Sequence, residues 1–187
     1  YSESQIPHLQ SLFSSPAEKI GHNLKYDLSV LFNHGIQVAG PFFDTMLADT
    51  LIAPERRHTM DYLSEILLGY TPVKLLDLVA AVSPQPAPPS DDLFAYAEKV
   101  KPSKELDVSS IPLEKLAEYA AEDADVTWQL AANLRPLLEE SGQSKVLHEI
   151  EAPLLPVLVR MEMEGISVNP DALGEIGIDL QQQIDEL

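Results

Sequence analysis

A chain of 187 residues, 45% of them apolar, is long enough for one domain with a proper core and the edge of a second. It holds no cysteine, which excludes disulfides and thiolate metal sites and fits a reducing, cytoplasmic setting. No apolar run approaches a membrane-spanning length, no signal or transit peptide is visible, and a formal charge of −18 argues against holding nucleic acid by the overall field.

The elements follow from hydrophobic period and from the residues that break it. Ile6, Leu9, Leu12 and Phe13 predict a helix over residues 5–15, ended by Pro16. Lys19-Ile20-Gly21-His22 reads as a short strand. Leu24, Leu28, Leu31 and Phe32 predict a helix that stops at Gly35. Residues 36–43 read as a strand with a turn at Gly40-Pro41, and residues 45–53 as a short helix stopped by Pro54. Thr59 is placed to cap a helix with Met60, Leu63, Ile66 and Leu67, ended by Gly69. Residues 83–92 are a proline-rich loop.

The strongest periodic stretch follows. Ser110 reads as its cap, with Pro112 just inside its start, and Pro136 is expected to kink it or begin a new turn. Trp128 lies on its apolar stripe and is expected in the core. A further amphipathic helix runs from about Val146 to Glu164 and stops at Gly165. Ile166–Val168 looks like a short strand, and Asn169-Pro170 begins a last helix. Strands early and helices late imply an α/β domain with helices packed on a sheet, then a helical section. The chain begins at Tyr1 and ends within a helical pattern, so both ends read as cut from a longer parent.

Two constellations carry candidate chemistry. Asn23-Leu24-Lys25-Tyr26-Asp27 lies at a strand-to-helix junction. Tyr119-Ala120-Ala121-Glu122-Asp123 lies inside the strong helix, where a spacing of four puts Tyr119 and Asp123 on one face. A phenol beside a carboxylate on a rigid helix suits a hard cation and an oriented water. Structural readings stand beside these. Asn23 also fits a helix cap, Asp27 a first-turn acid, Tyr119 a half-buried aromatic, and Asp123 a wet face with Glu118, Glu122 and Asp125. Arg56, Arg57 and His58 form the tight basic cluster of the chain, suited to single-strand phosphates or to an ordinary exposed loop. Lys25 suits a phosphate or a nearby acid. His8, His22, His34 and His148 have no partner at metal-ligand spacing.

Asn-x-x-Tyr-Asp at 23–27 and Tyr-x-x-x-Asp at 119–123 resemble the second and third motifs of the proofreading exonuclease family of DNA polymerases. Phe43-Asp44-Thr45-Met46 and His58-Thr59-Met60-Asp61-Tyr62-Leu63 lie between them in the order seen in family A polymerases. The run Ile150-Glu151-Ala152-Pro153-Leu154-Leu155, with Arg160-Met161-Glu162 and Gly165-Ile166, resembles the passage from exonuclease to polymerase region in bacterial members. The resemblance covers residues 19–187, with the proline-rich loop as a local departure.

It implies a partial ribonuclease H-like 3′–5′ exonuclease fold, helices on a mixed sheet, over residues 1–142, and the start of a polymerase domain over residues 143–187. It implies two-metal hydrolysis of a single-stranded DNA 3′ end with Mg²⁺ or Mn²⁺, and the polymerase domain of the same parent as neighbour. By motif position, Asp123 becomes a direct metal ligand and Asp27 a water-mediated one. Tyr119 orients the water, Asn23 places the substrate end, and Lys25 and Arg57 meet the substrate. The family's first motif, Asp-x-Glu, does not occur in residues 1–22, so the expectation is a weak metal site, poor activity, and an open sheet edge prone to self-pairing. A ribonuclease D-like exonuclease leaves residues 150–166 unexplained. A scaffold that has lost activity is disfavoured by the presence of Asp27, Tyr119 and Asp123.

Overall fold

The computed structural model describes residues 6–82, 108 and 111–186. Helix α1 (Ile6–Phe13) ends before Pro16, and β1 (Lys19–Gly21) follows. Helix α2 (Leu24–Asn33) then carries the chain back, and β2 (Phe42–Asp44) pairs with β1 in parallel, Lys19 opposite Phe42 and Gly21 opposite Asp44. Parallel strands need such a crossover, and a helix supplies it here. Two strands make up the described sheet, and among the described residues none runs antiparallel to them.

Alternation along β2 divides the interior into two layers. Phe43 faces one core with Ala48, Leu63, Val126, Leu130, Ala131, Leu134, Leu138 and Leu147. Phe42 faces another with Leu24, Leu28, Ala152, Leu155 and Val159. The first core is closed by α3 (Thr45–Ile52), by α4 (Met60–Leu63) with the wide helical turn Ser64–Leu68 after it, and by α6 (Leu113–Glu140). Between them in sequence lies α5 (Leu75–Val82). The second core is closed by α2 and α7 (Ala152–Glu164), which is entered through the turn Ser144–Val146 and a second wide turn, Leu147–Glu151. The last helix, α8 (Pro170–Asp185), has no buried residue; the Asn169 side chain caps it by accepting from the Asp171 and Ala172 amides. The described residues are mostly helical with a small parallel sheet, the α/β arrangement the sequence implies. Among them no helix is long and apolar enough to cross a membrane.

Four sequence expectations are corrected. Of residues 36–43 only Phe42 and Phe43 join a strand, because Gly40 turns the chain at φ +96 and Val38 packs into the second core instead of pairing. Ile166–Val168 forms no strand. β-branched residues without a neighbouring ladder gain nothing from extension, and Ile166 is 90% exposed. Thr59 stands at the cap position of α4 in an extended conformation, but its side chain makes no capping bond. Pro112 precedes α6 rather than lying inside it. Pro136 lies within the helix, which runs on to Glu140. The Ser110 cap and the 83–92 loop lie outside the described residues.

The carboxyl ends of both strands are joined by one side chain. Asp44 is buried, and its carboxylate accepts from the Met46 amide at 2.9 Å and the Leu47 amide at 3.4 Å, capping α3. It also reaches across to accept from the Asn23 amide at 3.0 Å and the Leu24 amide at 2.7 Å, at the start of α2. Two helix N-termini thus share one anion, which both helix dipoles favour. Asp44→Ala leaves four amides, buried or part-buried, without their acceptor. It should cost about 2–4 kcal/mol, read as a lower urea midpoint at unchanged slope.

Candidate active site

Asn23, directly after β1 and His22, adopts the left-handed conformation at φ 63, ψ 48. It is the one non-glycine among the described residues with positive φ. Asn tolerates this region better than most side chains do. Its side chain makes no cap bond, so the capping reading fails; the backbone bend, held by Asp44, is what turns β1 into α2. Gly21 is required just before the bend, because a Cβ there would collide with the Leu24 side chain.

The bend delivers His22, Tyr26 and Asp27 to one wall of an open cavity of about 700 Å³. Met60, Asp123, Thr127 and Trp128 form the wall opposite. Asp27 sits in the first turn of α2, where partial burial and the charge of Asp44 push its carboxyl above the usual range. Asp123 is also pushed up, first by desolvation, and further by Glu122 and Asp61, while the Tyr119 hydroxyl leaning on it pulls it down. Asp123 Oδ1 is buried and has no hydrogen-bond partner. Tyr119 is raised to about 12, by desolvation first and then by Asp123. His22 Nδ1 lies 2.9 Å from Thr45 Oγ1, and burial lowers its pKa despite the nearby Asp44.

Asp27 and Asp123 thus line one cavity, Tyr119 leans on Asp123 from the same helix, and Asn23 lies at the base of the turn that carries Asp27. The other two candidates point away from them. Lys25 forms an ion pair with Glu162 of α7. Arg57 is exposed on the loop after α3, whereas its neighbours Arg56 and His58 turn inward onto Asp49. Trp128 is not a core residue, since it is 64% exposed on the cavity rim. Burial on α6 begins at Val126 and follows Thr127, Leu130, Ala131, Leu134 and Leu138, a line that passes Trp128 by. His22, to which the sequence assigns nothing, lines the cavity. Asp61 also acts on the site, since its charge bears on Asp123, Tyr119 and His22 alike.

Two carboxylates and a phenol are hard oxygen donors, the kind that suit Mg²⁺ or Mn²⁺. The orphaned Oδ1 of Asp123 is a buried carboxylate oxygen left without a partner, chemically suited to a cation. Among the described residues no three His, Cys, Asp or Glu side chains converge to complete such a site.

Residues 1–139 match the 3′–5′ exonuclease family of DNA polymerase A. Similar curated proteins include the DNA polymerase I of Rhizobium leguminosarum, 35% identical over 95% of this chain and 16% of that protein. The DNA polymerase I of Chloroflexus aurantiacus is 32% identical over 100% of this chain and 18% of that protein. That of Pseudomonas aeruginosa is 34% identical over 89% and 16% respectively. The chain spans about a sixth of the length of these relatives.

Raised carboxyls have a consequence for stability. A carboxyl whose folded pKa lies above its unfolded value supports the fold below the unfolded pKa, and that support is lost as pH rises through the folded one. Asp123→Asn should therefore raise the melting temperature at neutral pH. The gain should shrink to nothing as the pH falls below the ordinary 3.8. A variant that melts below the wild type at neutral pH would show that Asp123 is instead a stabilising charge.

Proposed function

The chain belongs to the 3′–5′ exonuclease family of DNA polymerase A, and we propose that it serves as the proofreading region of a DNA polymerase I. It hydrolyses the terminal phosphodiester at the single-stranded 3′ end of DNA. The observation that carries this reading is the cavity wall pair Asp27 and Asp123, with Tyr119 beside the free Asp123 oxygen.

Asp123 holds Mg²⁺ or Mn²⁺ directly and Asp27 holds a second ion through water. Such ions, when bound, activate the attacking water and stabilise the leaving oxygen. Tyr119 keeps its proton through neutral pH and donates a hydrogen bond to Asp123, which leaves its hydroxyl oxygen to accept from the water and orient it. Asn23 places the 3′ end, and its strained turn sets that position. Arg57 meets a phosphate, and Lys25 exchanges Glu162 for one when the strand is bound. Water adds to phosphorus, the 3′ oxygen of the preceding nucleotide leaves, and a nucleoside monophosphate is released.

Residues 1–142 form the exonuclease region and residues 143–187 begin the polymerase region. The family match, which ends at residue 139, supports that division. The polymerase region of the same parent is then a natural neighbour. Half of the family's metal carboxylates are present and no Asp-x-Glu occurs in the sequence, so this chain by itself binds metal weakly and cleaves poorly.

The test is 3′ shortening of 5′-labelled single-stranded DNA in Mg²⁺ or Mn²⁺. It compares this chain with a longer protein that carries an upstream strand with Asp-x-Glu. Stepwise shortening by the longer protein, abolished by Asp123→Ala, is expected, with little from the chain alone. A folded longer protein that shortens nothing under either metal would leave an inactive scaffold as the better reading.

A further inference from the structure

Asp49 is fully buried and lies near the C-terminal end of α3. Both facts disfavour a carboxylate. Burial removes its hydration, and a helix C-terminus repels negative charge. It is kept there by partners on the loop that follows. The Arg56 guanidinium grips both oxygens, with Nε 3.0 Å from Oδ2 and the second nitrogen on Oδ1. His58 Nδ1 lies 2.6 Å from Oδ2. The backbone of the same turn is also closed, with the Ala53 amide bonded to the Asp49 carbonyl and the Arg56 amide to that of Ala53. Positions 56 and 58 therefore point inward, and alternation leaves Arg57 pointing out.

The loop is tied to the cavity at a second point. The His58 backbone bears on the His22 side chain, which lines the cavity and also meets Thr45 at the start of α3. Helix α3 thus acts as a strut. Asp44 at its head holds the Asn23 turn, and Asp49 near its tail holds the Arg57 loop.

We propose that Asp49 is a positioning residue for DNA binding: by consuming Arg56 and His58 it presents Arg57 alone to the phosphate of the bound single strand, at a fixed offset from Asn23 and Asp27. This rests on the reading of Arg57 as a phosphate contact. It adds that a buried acid, not the positive charge of the cluster as a whole, determines the affinity. Of three adjacent basic side chains, one is left facing solvent.

The probe is a short fluorescein-labelled oligothymidylate, titrated by anisotropy at several salt concentrations against the whole chain. Arg57→Ala should weaken binding about tenfold and flatten the slope of log affinity against log salt by about 1. Asp49→Asn should produce the same loss and add nothing when combined with Arg57→Ala. The sign is diagnostic. Asp49→Asn removes one negative charge, so the overall field alone calls for tighter binding, whereas lost positioning gives weaker binding. Arg56→Lys keeps the charge but loses the two-pronged grip, and its side chain is part exposed, so it serves where Asp49→Asn fails to fold. Melting curves establish that each variant is folded. Equal or tighter binding by folded Asp49→Asn and unchanged binding by Arg56→Lys would overturn the anchor while leaving the Arg57 reading intact. Unchanged binding by Arg57→Ala would overturn both.

Discussion

The buried carboxylate of Asp44 is the interaction on which the rest of the site depends. A bare anion in a protein interior is unfavourable, and this one is made favourable by four backbone amides drawn from two helix starts. The register of β1 and β2 places Gly21 opposite Asp44, so the strand pairing itself brings those amides within reach. Once the bond set forms, the left-handed turn at Asn23 is held, α2 is aimed, and Asp27 arrives on the cavity wall. A cavity residue is thus positioned by a structural one that does not line the cavity. Ligand sites in open α/β sheets commonly lie beyond the carboxyl ends of parallel strands. Here the reason is visible, since that is where the free amides and the turning chain coincide.

In a chain with a net charge of −18, most of the few described cations are taken up by its own side chains. Arg135 stacks over Phe43 at 4.0 Å and pairs with Glu18, so it serves the core. Arg56 and His58 serve Asp49, and Lys25 serves Glu162. Most of these cations serve the architecture. Burial is the main cause that lifts the Asp27 and Asp123 carboxyls, and neighbouring acids add to it.

Periodicity made most of the fold legible. The helices from Ile6, Leu24, Thr45 and Pro170, and the stops at Gly35, Gly69 and Gly165, stand where hydrophobic spacing and glycine placed them. Asp27, Tyr119 and Asp123 were legible as motif members; Asp27 and Asp123 line one cavity, and Tyr119 leans on Asp123. What was illegible depends on partners distant in sequence. Residues 36–39 and Ile166–Val168 have strand-like side chains but no ladder beside them. Trp128 shares the period of the buried face but falls just off its line, a displacement that spacing alone does not resolve over a helix of 28 residues. Asp44 was legible only as part of a resembling segment, and nothing in the sequence singled out Asp49. Their importance lies in amides and cations 2 to 21 positions away, which only the folded chain brings to them.

Helix α7 seals the core behind α2 with Ala152, Leu155 and Val159, and Lys25 reaches from one to the other. Gly142 marks a turn in the chain, yet Leu147 just beyond it is fully inside the first core. A cut near that glycine would nick the backbone without parting two bodies, and the halves would stay together as a non-covalent complementing pair. For recombination the same seam is a poor crossover point, because a foreign segment spliced there would have to match the interior surface of its host. Segments on either side of residue 142 are therefore expected to be inherited together, as one mechanical unit.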